Sequence, residues 1–430
     1  MLILLIVLAL AWPVLSVGEN SGSAPTDAPG AAASDPPGNP PDHITLTWTG
    51  DPATTMTVTW RADTTVANGA VEYRKTDAPE GSEERANATG SNFTTDTGAS
   101  NLFTATLTGL CPSTRYTYRV SNGSTWSGLH GFSTADPKSV GFKFLIFGDS
   151  QSPPSGYDTW GKNLHGAYKA NPDARFFVNV GDLVDVGQSG AHWNGWFEAA
   201  AGVIDSIPAM PTFGNHETGG ATRTKRPAFY NAQFRLPQNG PAELKNQVYS
   251  YDYGPAHIVV LDSQDSEQKR YGDIIEPQRK WLEADLAASK AKWKFVFFHK
   301  GIYTLLKGRS YDALKQAFCP IMERYRVDCV FNAHDHGLAR TYPLINDVKA
   351  ASASGGTVYW TVGRSGTKFY TDIRKLDVHS FFYVVKDQPN YLVVDIVGSK
   401  MTINSMNADG TLIDSFYIDK KTDTNSDLIK

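Results

Sequence analysis

Cysteine is scarce in this chain, with three residues in 430: Cys111, Cys319 and Cys329. So small and odd a count excludes a disulfide framework as the basis of the fold. Cys329 stands in an apolar run and reads as a buried free thiol; a Cys319–Cys329 bridge is the alternative. An excess of one charge is also missing. Lys and Arg total 40 against 44 Asp and Glu, a formal net charge of −4 with no basic block. That argues against a dedicated nucleic-acid surface. It leaves a small anionic substrate open, because such a substrate needs only local positive charge. Beyond the N-terminus no stretch is apolar enough to span a membrane.

What is present first is "MLILLIVLALAWPVLSVG", residues 1–18, an apolar run of secretory-signal length with Ser16 and Gly18 as small residues near a cut. It lacks Lys or Arg before the apolar stretch, and an uncleaved anchor is the alternative, though the run is short for a span. No Cys follows it, which argues against lipid anchoring. The expectation is an exported protein, secreted or periplasmic. Residues 19–41 are rich in Gly, Ala, Ser and Pro. They cannot bury a core and read as a flexible tether.

Residues 42–136 change rhythm. "HITLTWTG", "TMTVTWRAD", "AVEYRKT", "FTATLTGL" and "RYTYRVSNG" are short, rich in Thr, Val, Tyr and Trp, and separated by turn residues. This pattern predicts a small all-β sandwich. "LTGLCPSTRYTYRV" resembles the E–F region of a fibronectin type III module. The segment holds no cluster of catalytic residue types, so a structural or docking role is expected. Sequons begin at Asn87, Asn92 and Asn122. From residue 141 to about 420, apolar strands alternate with helical stretches such as "QRKWLEADLAASKAKW" and "YDALKQAFCPIMERYR". That predicts an α/β domain, with strands returning near the C-terminus.

Inside this α/β region a single event recurs. "FKFLIFGDS" runs apolar and then presents Asp149; "ARFFVNVGDLVDVG" presents Asp182. "AMPTFGNHE" ends on Asn215 and His216, "WKFVFFHKG" on His299, and "VDCVFNAHDH" on His334 and His336. Buried strands read as continuous apolar runs. In open α/β sheets their carboxyl ends converge on a crevice where ligands bind. One polar stop means little, and a pair such as His334 and His336 alone reads as well as two solvated loop histidines. Five stops in order mark a shared site. Asp, Asn and His together suit borderline or hard divalent cations.

These blocks resemble the calcineurin-like metallophosphoesterase superfamily and, more narrowly, the purple acid phosphatases with their fibronectin-like N-terminal domain. The resemblance covers about residues 42–418. It implies two packed β-sheets flanked by helices, and a site for two metal ions (Fe, Zn or Mn). Asp182 would bridge the ions, Asp149 and His336 would hold the first, and Asn215, His299 and His334 the second. The ions would clamp a phosphate ester and activate a bridging hydroxide. His216 matches the histidine that contacts the phosphoryl group or protonates the leaving group, and Arg340 matches the arginine of the last block. The pattern departs in three places. Asp185 stands where the purple enzymes have an iron-binding tyrosine, so the expectation is a carboxylate oriented toward His216, with direct metal ligation as the alternative. Gln151 stands where the broader superfamily has a metal-binding histidine, and an amide is the poorer ligand. Ala333 replaces a glycine before His334.

The resemblance implies a secreted phosphoesterase, most simply a phosphomonoesterase. A phosphodiesterase on nucleotide or lipid head-group diesters, and an inactive binding module, are the alternatives. Lys300, Tyr303 and Arg309 are candidates for substrate contact, and His192 lies near enough in sequence to reach the site.

Overall fold

The strand Met56–Ala62 shows why the N-terminal region folds as it does. Its alternation sends Met56, Val58 and Trp60 to one face, while Thr57 and Thr59 meet Thr106 and Thr104 across the neighbouring strand. In this computed structural model residues 41–123, 125–219, 226–352 and 355–427 are described. The signal-like run and all but residue 41 of the expected tether therefore lie outside the described residues. The first sheet orders its strands Asp42–Thr47, Met56–Ala62, Gly98–Leu107 and Thr89–Thr95. The second is built on Ala70–Lys75 and Arg115–Asn122. Trp60 ties the two together by donating its indole N–H to the Ser121 carbonyl at 3.0 Å. The sequon residues Asn87 and Asn92 are exposed, whereas Asn122 is buried.

This all-β region shares its core with the α/β region. Leu46 exchanges backbone hydrogen bonds with Ile204 and Ala209, and Trp48 packs edge-on to Phe176 at 5.6 Å. The α/β region has two sheets. In the first, Gly141–Phe147 pairs in parallel with Ala174–Asn179 and antiparallel with Asn390–Val397. In the second, Trp293–Lys300 lies between Ala256–Val260 and Cys329–Ala333, and Val358–Val362 continues the parallel set. Aromatic rings fill the gap between the sheets, with Phe144 against Phe295 at 5.8 Å and Trp360 against Phe416 at 5.9 Å. Helices Asp158–Ala170 and Gly190–Ala200 pack on one another by the stack of Trp160 on Trp196. Helices Ile275–Ala288 and Asp312–Arg324 bury Leu282, Leu286, Leu314 and Phe318 in a second apolar cluster that includes strand residues Val296 and Val330. No described helix is long and apolar enough to cross a membrane.

The alternative of a Cys319–Cys329 bridge fails. All three cysteines are free. Cys319 sits beside Tyr359 and Cys329 beside Trp360. Consecutive strand residues face opposite sides of a sheet, so the two thiols are kept apart by the sheet itself. Burial pushes the Cys319 thiol up to about 12 and the Cys329 thiol well above its ordinary value, which leaves both inert.

Candidate metal centre and active site

The polar stops noted in the sequence become sharp backbone turns. Asp149, Asp182, His334 and His336 have φ of 49°, 51°, 73° and 52°. Side chains other than glycine seldom adopt this left-handed region, and each such residue costs on the order of 1–2 kcal/mol. The turns are held by hydrogen bonds between neighbouring strand ends: Asp149 N–H donates to the Gly181 carbonyl and Gln151 N–H to the Asp182 carbonyl. Glu217, fully buried, accepts from the N–H groups of Asp182, Val184 and Gly214 at 3.0, 3.0 and 2.6 Å. Two glycines are demanded by close approach. A Cβ on Gly214 would lie 2.1 Å from Asp182 Oδ1, and one on Gly181 would lie 2.7 Å from His299 Nδ1. Ala333 fits where a glycine was expected because Gly148 faces it: a Cβ on Gly148 would stand 3.1 Å from the Ala333 methyl.

Two groups of ligand-type atoms result, each within 4.8 Å: Asp182 with His299 and His334, and Asp149 with Asp182 and His336. Asp182 belongs to both. His299 Nε2 is 3.1 Å from Asp182 Oδ2 and 3.0 Å from His334 Nδ1, and His336 Nε2 is 3.4 Å from Asp149 Oδ1. The strand bearing Asn215 is reduced to parallel bridges at Ala209 and Thr212. Asn215 is nevertheless buried in this region with its Oδ1 lacking a hydrogen-bond partner, and so is Gln151 with its Oε1. The Gln151 amide nitrogen is 3.3 Å from both Asp182 Oδ2 and His336 Nε2.

The histidines are oriented from behind. A carbonyl oxygen can only accept, so the ring nitrogen bonded to it carries a proton and the other nitrogen is the one left to take a metal ion. The Val180 carbonyl holds His299 Nδ1 at 2.9 Å and the Lys368 carbonyl holds His336 Nδ1 at 2.7 Å, leaving both Nε2 atoms turned inward. His334 is reversed. Its Nε2 meets the Tyr311 hydroxyl at 2.8 Å, and its Nδ1 faces the group. This is the arrangement of imidazoles that serve as metal ligands.

Electrostatics agree with a cation-hungry centre. Burial pushes the Asp149 carboxyl well above the usual range. Burial acts the same way on Asp182, but His299 and His216 hold it well below. Burial drives His336 down to about 3 and His334 well below its ordinary value, so both imidazoles are neutral. Burial also opposes the charge of His299, yet Asp182 and Asp149 hold its pKa up at about 9. Two carboxylates, three imidazoles and two partnerless amide oxygens in a buried space fit a pair of metal ions.

His216 stands next to this group, with Nε2 3.8 Å from Asp182 Oδ2. Its Nδ1 is 2.6 Å from the Asp185 carbonyl and 3.2 Å from the Asp185 carboxylate. The hydrogen bond from His216 holds the Asp185 carboxyl below its usual value. His192 reaches only the second neighbour: its Nδ1 meets the Tyr157 hydroxyl, which accepts from Asp185 N–H. Arg340 must be corrected. Its guanidinium is buried between the sheets, over Phe416 and Trp360, and donates to Ser380, Asp414 and Asp427. It occupies a strand position paired with Trp360 and so shares that ring's side of the sheet, between the two sheets. Lys300 is likewise taken up by Ser266 and Glu267, and Tyr303 by Asp347. Arg309 stays at the edge, bonded to Asp335 and the His334 carbonyl.

The sequence reading missed Glu217, Tyr311 and Lys368. Glu217 had a signal, since it follows His216 directly; Tyr311 opens a stretch that reads only as a helix, and Lys368 sits in a loop with no local pattern. The Lys368 ammonium lies 3.4 Å from His216 Nε2.

Comparison with known proteins fits this geometry. Residues 41–134 match the purple acid phosphatase N-terminal domain, and residues 142–338 match the calcineurin-like phosphoesterase family. The chain is 25% identical to purple acid phosphatase 15 of Arabidopsis thaliana over 61% of its own length and 53% of that protein. It is 29% identical to acid phosphatase type 7 of Mus musculus over 56% of its length and 57% of that protein. It thus spans little more than half the length of these curated relatives. The structure of purple acid phosphatase PPD1 from yellow lupin superposes with a TM-score of 0.73 at 20% identity, covering 91% of this chain and 76% of that one, which establishes the shared fold.

Proposed function

Because this chain is a purple acid phosphatase-like member of the calcineurin-like phosphoesterases, we propose that it is a metal-dependent hydrolase of phosphate esters, acting first on monoesters. The observation that carries this reading is the pair of Asp/His groups sharing Asp182, with His216 alongside. We assign Asp149, Asp182, His336 and Gln151 to one ion, and Asp182, Asn215, His299 and His334 to the other. When bound, such ions supply a hydroxide nucleophile at mild pH and positive charge at the phosphoryl oxygens. The residues of the chain do the rest. Water's oxygen bonds to phosphorus, the ester P–O bond breaks, and the leaving oxygen takes a proton. In its doubly protonated form His216 is placed to give that proton from Nε2, with Nδ1–H held by Asp185. The leading apolar segment supports export of the protein.

The carboxylate at Asp185, in place of a tyrosine, supports a colourless centre of divalent ions, without a phenolate charge-transfer band. The test is turnover of p-nitrophenyl phosphate and of its bis-ester by purified protein, stripped with chelator and then reloaded with Zn, Mn or ferrous iron. Metal-dependent hydrolysis that favours the monoester is expected. Faster hydrolysis of the bis-ester would make it a diesterase, and no turnover with any ion would overturn the enzyme reading in favour of a binding module.

A further inference from the structure

We propose that Lys368 binds the phosphoryl group and makes the site select phosphate monoester dianions over diesters; this rests on the phosphoesterase reading above. The segment carrying it, Gly366 to Tyr370, is fastened to the strand ends. Ser365 N–H donates to the Gly148 carbonyl at 2.7 Å, Gly366 N–H to the Asp149 carbonyl at 2.9 Å, and Thr367 N–H to Ser152 Oγ at 3.2 Å. A Cβ on Gly366 would fall 2.2 Å from the Gln151 carbonyl, so the approach is as close as backbone allows. Buried Arg364 braces the turn by donating to the Gly366, Val385 and Lys386 carbonyls. Finally, the Lys368 carbonyl accepts from His336, and the Tyr370 ring packs 4.8 Å from the His336 ring.

The backbone of Lys368 thus does structural work, and the side chain has a separate position. Its ammonium stands 3.4 Å from His216 Nε2 and 5.8 Å from the centre of the Tyr370 ring. Among the described residues it has no carboxylate partner, unlike Lys300, which is paired with Glu267 at 2.7 Å. Its distance from His216, which itself lies 3.8 Å from Asp182, places the ammonium beside the candidate centre. A half-buried, unpaired cation beside His216 calls for an anion.

The chemistry of the phosphoryl group then decides which one. A monoester dianion has three terminal oxygens sharing two negative charges. Two can face the metal ions while the third accepts from Lys368. In a diester an alkoxy group replaces one terminal oxygen, removing a charge and a strong acceptor. The ammonium would be desolvated without a partner, and a site built to bond a group rejects the analogue that lacks it.

The experiment compares metal-loaded wild type, Lys368→Met and Lys368→Arg, with Lys368→Gln as the second neutral variant should Met unfold the loop. The monoester and bis-ester kcat/KM are measured together with calorimetric binding of inorganic phosphate. Loss of a charge-assisted hydrogen bond should weaken phosphate binding about tenfold to a hundredfold. The monoester-to-diester ratio of kcat/KM should fall at least about tenfold, with Lys368→Arg recovering some of both. Unchanged phosphate affinity, or equal losses on the two esters, would overturn the inference. A wild type that binds phosphate through Lys368 yet turns over neither ester would refute the enzyme reading and keep the anion site.

Discussion

The two ends of the same strands handle buried charge in opposite ways. At the amino ends two buried charges have partners of their own. Asp328, before the strand Cys329–Ala333, is 2.6 Å from Lys420 and accepts from Lys294 N–H. His257, entering the strand Ala256–Val260, lies between Asp252 at 2.7 Å and Asp285 at 2.8 Å. At the carboxyl ends, Asp149 and Asp182 converge with three histidines in a buried space, on backbone turned into the left-handed region. The same sheets supply both ends. One end is arranged for stability, and the other carries strain and like charges that a cation pair would relieve.

Removing the carboxylate shared by both metal groups should break the comparison most visibly. Asp182→Ala should lower turnover by at least about a thousandfold, some 4 kcal/mol, and lose bound metal. Near-normal turnover would refute the two-metal reading.

The opposite signature is expected at the amino end. Asp328→Ala leaves Lys420 and the Lys294 N–H facing a buried gap, and should destabilise the fold by about 3 kcal/mol in denaturant melts. Turnover per folded molecule should hold. A fall in turnover without a fall in stability would erase the distinction between the ends.

A smaller effect sharpens the catalytic end. Asp185→Asn should slow turnover by one to two orders of magnitude, in the range of proton-transfer assistance, while metal content stays the same. The loss should shrink for esters with good leaving groups. Loss of one metal equivalent would instead make Asp185 a direct ligand.

The smallest expected effect is a pH dependence. Burial opposes the charge on His257, but its hydrogen bonds to Asp252 and Asp285 raise its pKa to about 9. A folded-state pKa above the ordinary 6.5 means that the stabilisation is fully present below pH 6.5 and is lost as pH rises through about 9. Asp252 is largely exposed, so solvent screening limits the expected decline to about 1–2 kcal/mol. His257→Gln should flatten the curve, and a decline that persisted in that variant would assign the effect elsewhere.

Much of this was legible before the structure. An apolar run that stops on Asp, Asn or His announces a buried strand and its functional end, because the backbone must leave the core where the polar residue begins. That logic located Asp149, Asp182, His299, His334 and His336, the five that the structure brings together. It could not place Arg340, whose family position suggested the site but whose strand parity turns it between the sheets toward Asp414 and Asp427. Nor could it find Tyr311 or Lys368, since a loop residue acquires its role from what its loop is bonded to.

By itself, then, the sequence determined where strands run, where they stop and which side chains the stops expose. These are local matters of side-chain period, apolar content and turn chemistry. Only the tertiary structure decided which exposed groups meet. His334 N–H donates to Asp149 across 185 positions, and Lys368 reaches His216 across 152. Such meetings depend on sheet order and register and on the packing of one sheet against another, and no local propensity encodes them.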